Sequence, residues 1–281
     1  MKQDYVAHHL LCRPGDVGAY VLLPGDPGRA QLLASRLEEP RYIASNREFS
    51  TYTGMLDDEP VTVTSTGIGG PSTAIAVEEL IDLGAHTFVR VGTAGGMQAS
   101  VAPGHFVVAQ AAVRDEGTSH QYVPDVFPAV ASPTVVMALH DAARQFGVPH
   151  HVGIVHSKDS FYGQKRPETM PISAYLVQRW ETWRQAGVLA SEMEAAALFV
   201  VAGIRGRRAG AVLKIMSNRA RPGPRPSSLD DLADLAIAGM RLVLQADRAE
   251  QVQGADLREI GSLRGLPPSR ASRRAARARV Q

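Results

Sequence analysis

Residues 61–92 read VTVTSTGIGGPSTAIAVEELIDLGAHTFVRVG, and this stretch decides the fold class. Val61–Thr66 is a short run rich in β-branched residues, the pattern of a buried strand. Gly67, Gly69 and Gly70 then make a tight turn, and Pro71 falls in the first turn of a helix, where proline is tolerated. Apolar residues at Ile75, Val77, Leu80, Ile81 and Leu83 give the predicted helix Pro71–Leu83 a core-facing side. Thr87–Gly92 is the next strand. Strands separated by helices imply a mostly parallel sheet covered on both faces.

The same alternation continues outward in both directions. Further strands are predicted at Tyr20–Pro24, His105–Val113, His151–Ser157 and Ala211–Ser217. A helix opens at Ser132-Pro133 and carries Val135, Val136, Leu139, Ala142, Ala143 and Phe146. Met193–Ile204 and Leu229–Ala246 are helical by pattern, the latter capped by Ser227 or Ser228. The expectation is one α/β domain over residues 1–250, with a mixed, mostly parallel sheet flanked by helices. Arg219–Pro226 (RARPGPRP) and the chain from residue 251 read as irregular.

The 281 residues are 44% hydrophobic and carry a net charge of +2, a globular composition. That charge is unevenly spread: no acid follows Glu259, whereas Arg264, Arg270, Arg273, Arg274, Arg277 and Arg279 do. Residues 251–281 therefore read as a basic, disordered tail, with a solvated terminus favoured over a nucleic-acid contact. No window approaches eighteen apolar residues, and the opening MKQDYVAHHLL does not read as a secretory signal. Cys12 is the only cysteine, which excludes an internal disulfide and a zinc–thiolate cluster. Together these readings favour the cytoplasm.

Three glycine turns follow strands and carry polar side chains. They are Gly25-Asp26-Pro27-Gly28-Arg29, Gly67–Ser72, and the Arg90–Gly95 segment with Thr93. Strand C-termini are where open α/β sheets bind ligands, and arginine makes bidentate contacts to phosphate. Any one of these turns alone reads first as a tight βα connection. None completes GxGxxG or ends in Gly-Lys-Ser/Thr, so a dinucleotide bridge or an ATP tail is not what they would hold. Several arginines at strand ends suit a small free anion.

The block Ser65–Leu80 resembles the signature of the purine and uridine phosphorylase family. The resemblance continues through GDPGR at Gly25–Arg29, SNREFSTYTG at Ser45–Gly54, RVGTAGGMQ at Arg90–Gln98 and TSHQYVPDVFPAVA at Thr118–Ala131. DSFYGQKR at Asp159–Arg166, SEMEAAAL at Ser191–Leu198 and SNR at Ser217–Arg219 complete it. It spans roughly residues 5–246 and is nearest to the uridine branch of the family. The resemblance implies a single-domain, three-layer nucleoside phosphorylase-like fold and phosphorolysis of a nucleoside to free base and (deoxy)ribose 1-phosphate.

The resemblance also implies site residues. Gly25, Arg29, Arg90 and Thr93, with Arg47 of a neighbouring subunit, would bind phosphate. Glu194 would accept hydrogen bonds from the ribose hydroxyls, with Met193 under the sugar and Glu192 beside it. His9 of the neighbour would meet the 5′-hydroxyl. Phe161 would stack on the base near Thr93, Gly95 and Arg219, while Gln164 and Arg166 would bind its polar edge. Arg90, Glu194, Arg166 and Gln164 are the catalytic candidates. Phosphate is the one co-substrate implied, and a homo-oligomer, at least a dimer and in the family usually a hexamer, is the partner. Glu48, Ile68 and Ser72 match positions that hold potassium between subunits in some relatives, although an exposed Glu and a helix-cap Ser are the plainer reading.

Asn218 stands where purine-specific members carry an acid, and an amide cannot protonate a leaving purine. This favours a pyrimidine nucleoside such as uridine. The alternatives are a purine nucleoside phosphorylase, a hydrolytic nucleosidase, or a non-catalytic nucleoside- or nucleic-acid-binding protein. The chain departs from the usual pattern at Ala94, in a loop one residue short at Gly163, and at Ser191. If Glu192 and Glu194 both lie on a helix, only one of them can face a ligand.

Overall fold

The computed structural model describes residues 5–252. The chain divides into two units, one through Val243 and one from Leu244. In the second, the described part is the end of the last helix. The basic tail expected over residues 251–281 lies, beyond Val252, outside the described residues.

The chain contributes strands β1 (Tyr20–Pro24), β2 (Glu38–Asn46), β3 (Phe49–Leu56), β4 (Glu59–Thr64), β5 (Thr87–Gly96), β6 (Phe106–Asp115), β7 (Ala129–Val130), β8 (His150–Lys158), β9 (Ala190–Glu192) and β10 (Arg208–Asn218). The helices are α1 (Pro27–Ala34), α2 (Gly70–Asp82), α3 (Pro133–Gln145), α4 (Phe161–Lys165), α5 (Ser173–Gln185), α6 (Ala195–Ile204) and α7 (Asp230–Val252). Each strand predicted from the sequence is present, β1 with its predicted bounds. The hairpin β2–β3, strand β9 and helices α1, α4 and α5 were not foreseen. In β2 most side chains are exposed and no period-2 burial marks it.

The sheet is mixed, and its hub is β5. Along Thr87–Val91 one edge of β5 pairs in parallel with β1, while its other edge pairs with β10 over its whole length. Where β1 has ended, β9 takes over the first edge, Gly95 facing Ser191 and Gly96 facing Ala190. From β9 the order runs through β8 and β6 back to β10, so this half of the sheet closes on itself. The other half continues from β1 through β4, β3 and β2 as an open extension. The place where β1 departs and β9 arrives is a switch in strand neighbours, the position at which α/β sheets leave a crevice.

Burial explains the layers. Helix α6 reads AAALFVVAGI and is buried at every position from Ala195 to Ala202. A helix that is apolar all round must be enclosed rather than lie on a surface. α3 approaches the sheet at Gly210, where a Cβ would come within 2.4 Å of the Val135 side chain. Ser132 precedes α3 as expected, but its hydroxyl accepts from the Ala209 N–H of β10 instead of capping the helix. Ser228, by contrast, accepts from the Asp230 N–H that opens α7. No helix among the described residues is long and apolar enough to cross a membrane.

Candidate active site

β1, β4 and β5 run parallel, so the turns after them emerge at one end of the sheet. The first turn is pinned by Asp26, whose carboxylate accepts from the Arg29 N–H and caps α1. The Thr66 N–H donates to Pro24 O at 2.9 Å, tying the second turn to the first. A Cβ on Gly25 would sit 3.0 Å from Gly67 O and 3.6 Å from the Arg29 guanidinium, so the close approach of these turns requires a glycine there. Arg29 is therefore folded inward, and its Nη1 is buried without a partner. Burial, and then the neighbouring Arg90, push its pKa down from the usual arginine range.

Arg90, on β5, is 5% exposed. Its Nε donates to Glu192 Oε2 at 2.9 Å and its Nη2 pairs with Glu194 Oε2. Gly92 makes room for it, since a Cβ there would come within 2.8 Å of the guanidinium. The expectation that Glu192 and Glu194 point apart on one helix is corrected. β9 ends at Glu192 and α6 begins only at Ala195, so both carboxylates reach the same arginine.

Glu192 is the structural member of this pair. It accepts from the Glu194 and Ala195 N–H groups at the mouth of α6, from the Ser157 hydroxyl and from Arg90. Burial works against its charge, but Arg90 and these donors outweigh it and hold the carboxyl below its usual range. Glu194 accepts from the Gly69 N–H at 2.6 Å. Burial and the adjacent Glu192 raise its pKa, with Arg90 offsetting only part.

A second group lies around Ser191, one residue before Glu192. Its hydroxyl has three neighbours: Lys158 Nζ at 2.9 Å, His156 Nδ1 at 3.0 Å and Gln164 Oε1 at 2.8 Å. Lys158 also donates to Glu192 O at 3.3 Å. Burial pulls the Lys158 ammonium down to about 8. His156 Nε2 lies 2.7 Å from Asp115, which is also engaged by Arg179. Burial, and then the Lys158 charge, push the His156 imidazole down to about 3. Gln164, Lys158, His156 and Arg219 line a cavity of about 270 Å³ together with Trp180 and Trp183.

The remaining expected base residues gather on α4 and at its C-terminal end. Phe161 is half exposed and meets Tyr162 edge-on at 5.3 Å, while the Arg166 guanidinium lies 4.7 Å over the Tyr162 ring. Arg219 ties this segment down by donating to the carbonyls of Gln164 and Lys165. Thr93 and Gly95 are part-exposed on β5, and Met193 is part-exposed between β9 and α6.

His9 and Arg47 are placed differently. The imidazole of His9 lies 2.7 Å from Glu79 of α2, and its backbone is held by Glu79 and Asn46. Arg47 is exposed at the tip of the β2–β3 hairpin with φ 54°. Glu48, Ile68 and Ser72 come together: Glu48 packs against Gly67, and the Ser72 hydroxyl donates to Ile68 O at 3.3 Å. Asn218 faces away from any ligand role. Its amide donates to Gln98 O and Val101 O, and its carbonyl accepts from the Ala220 N–H.

Sequence reasoning missed His156, Lys158 and Asp115. Their only signal was the spacing His156-Ser157-Lys158 in a strand, which puts both long polar side chains on one face.

Arg29 and Arg90, with Glu192 and Glu194, thus gather beside the turn that follows β1. The chain belongs to the phosphorylase superfamily, whose family model matches residues 19–245. It is 52% identical over 225 residues to a uridine phosphorylase of Treponema pallidum, covering 80% of this chain and 86% of the relative. It is 49% identical over 219 residues to a uridine phosphorylase of Thermococcus kodakarensis, covering 77% and 79%. A guanosine phosphorylase of Halorubrum lacusprofundi is 38% identical over 223 residues, covering 79% and 88%.

Proposed function

We propose that this protein is a cytoplasmic enzyme that splits uridine with inorganic phosphate into uracil and ribose 1-phosphate. The observation that carries the reading is the buried Arg29 Nη1 without a partner, beside an Arg90 that is itself buried. An unpaired buried N–H donor is costly unless something fills its coordination, and two neighbouring guanidiniums suit a dianion. Phosphate there would compete with Glu194 for Arg90. Glu194, whose elevated pKa reflects its burial, is then released to accept the sugar hydroxyls. Glu192 stays fixed by the α6 amides and keeps Arg90 aimed.

The chemistry follows from charge. As the glycosidic bond breaks, positive charge builds on the sugar and the electron pair passes to the base. The held phosphate stabilises that cation and supplies the attacking oxygen, and a positioned reactant lowers the entropic barrier. Arg166 stabilises negative charge developing on the base oxygens, Gln164 holds the polar ring edge, and Phe161, Met193, Thr93, Gly95 and Arg219 shape the rest of the nucleoside pocket. Arg47 and His9 are supplied by a neighbouring subunit in this reading. Arg47 is free to reach across because it is exposed at a hairpin tip. Glu48, the Ile68 carbonyl and Ser72 offer oxygen donors only, a set that suits a hard cation such as potassium between subunits.

The test is release of free base from uridine, thymidine, cytidine, inosine and guanosine with and without phosphate. Phosphate-dependent release of uracil is expected. Release that is equal without phosphate, or confined to inosine or guanosine, would overturn the reading.

A further inference from the structure

The hydroxyl of Ser191 has one hydrogen and two lone pairs, and it is claimed by three side chains. Lys158 Nζ, at 2.9 Å, is an ammonium and can only donate, so it takes one lone pair. One hydrogen and one lone pair remain for His156 Nδ1 and Gln164. These two neighbours are therefore tied in opposite senses. If Ser191 donates to Gln164, His156 must donate to Ser191. If Ser191 donates to His156, Gln164 must donate to Ser191.

Which of these holds is decided at the other end of the imidazole. His156 Nε2 lies 2.7 Å from Asp115 Oδ2, an acceptor, so Nε2 carries a hydrogen. Donation from Nδ1 as well would require an imidazolium. That cation would be 4% exposed, would share a hydroxyl with the Lys158 ammonium, and would face an aspartate already engaged by Arg179 and Trp183. Burial keeps the ring neutral instead. Neutral His156 takes the Ser191 hydrogen on Nδ1. The Gln164 amide, whose two ends are the same size, must then turn its NH2 toward Ser191 and its carbonyl outward.

We propose that Lys158, His156 and Ser191 are positioning residues that fix Gln164 as a hydrogen-bond acceptor toward the base, so that the site selects bases with a ring N–H between two carbonyls. Such an imide, as in uracil or thymine, presents its hydrogen to the Gln164 carbonyl. Cytosine presents a bare ring nitrogen at the same place and sets acceptor against acceptor. A site built to satisfy one hydrogen bond rejects a ligand that cannot make it by a large factor. This inference rests on the proposed uridine phosphorolysis and assigns its base selectivity to residues behind Gln164.

The experiment measures inhibition constants for free uracil and free cytosine against phosphate-dependent turnover of uridine, in wild type, Ser191→Ala, Ser191→Thr and Lys158→Met. Wild type is expected to prefer uracil by about 100-fold or more. Ser191→Ala frees the amide to rotate, and the preference should fall by about 10-fold or more through loss of uracil affinity and gain of cytosine affinity. Lys158→Met leaves Ser191 with a spare lone pair and should relax the preference less. Ser191→Thr keeps the hydroxyl and should retain it. Losing both bases equally, or keeping the wild-type ratio in Ser191→Ala and Lys158→Met, overturns the proposal. A wild-type enzyme that releases no uracil from uridine instead overturns the underlying function, and the wild-type assay reads this separately.

Discussion

The half of the site around Arg90 and the half around Ser191 are joined through neighbouring residues of β9, yet different forces hold them. Around Arg90 the groups are ions: Arg90, Glu192 and Glu194 lie buried together with the part-buried Arg29 beside them, and charge sets the geometry. Around Ser191 one hydroxyl with a single hydrogen is shared by three neighbours, Lys158, His156 and Gln164. The ionic half can exchange a partner, because an incoming anion can replace one carboxylate on Arg90. The hydroxyl half resists exchange, because moving one hydrogen obliges the others to move. The first suits binding a charged co-substrate, and the second suits reading a base.

That contrast can be broken most strongly at Arg90. Arg90→Ala leaves Glu192 and Glu194 buried without their cation, and should cost about 3–5 kcal/mol of stability. Turnover of uridine should fall by about 1,000-fold or more. Urea unfolding and kcat/KM read the two effects, and near-wild-type stability would mean the carboxylates are not held by this arginine.

Asn218→Asp sharpens the claim about base choice. The new carboxylate would lose both donations to Gln98 O and Val101 O and face two carbonyl oxygens. It should cost about 2–3 kcal/mol in unfolding and confer no phosphorolysis of inosine. Gain of inosine turnover would show that this side chain can reach the base.

A further effect, spread over several pH units, concerns acid stability. The folded pKa of His156 is about 3, against 6.5 for the free group, so the unfolded chain takes up this proton first. This contribution is constant above 6.5. As pH falls from 6.5 toward 3, stability is lost by up to about 1.4 kcal/mol per pH unit. His156→Gln should flatten that part of the curve, and an unchanged slope would mean the imidazole titrates normally.

The ionic half was the more legible in the sequence. Gly25, Arg29 and Glu194 sit just beyond strand ends, where glycine turns mark themselves locally, and Arg90 lies inside β5, which runs on to Gly96 past the predicted end at Gly92. The pairing of Glu192 and Glu194 on one arginine is not legible locally, because it depends on β9 ending at Glu192 and α6 starting only at Ala195. The hydroxyl half was hidden. His156 and Lys158 read as ordinary strand residues, and only the register of β8 against β9, with His156 opposite Ser191, brings them together. Strand β2 escaped for another reason: its residues are mostly exposed and carry no burial period, so only the short turn at Arg47-Glu48 marks its pairing with β3.

The most direct test of the account is Arg29→Met, assayed for both phosphate dependence and stability. Arg29 is part-buried with an enclosed, unpartnered Nη1, the position proposed above for the phosphate. The account predicts that the KM for phosphate rises by about 100-fold or more while unfolding stability is unchanged or increased, since an enclosed, unpaired N–H donor has been removed. A variant that loses stability but keeps the wild-type KM for phosphate would contradict it, and would make Arg29 a structural residue instead of the phosphate's partner.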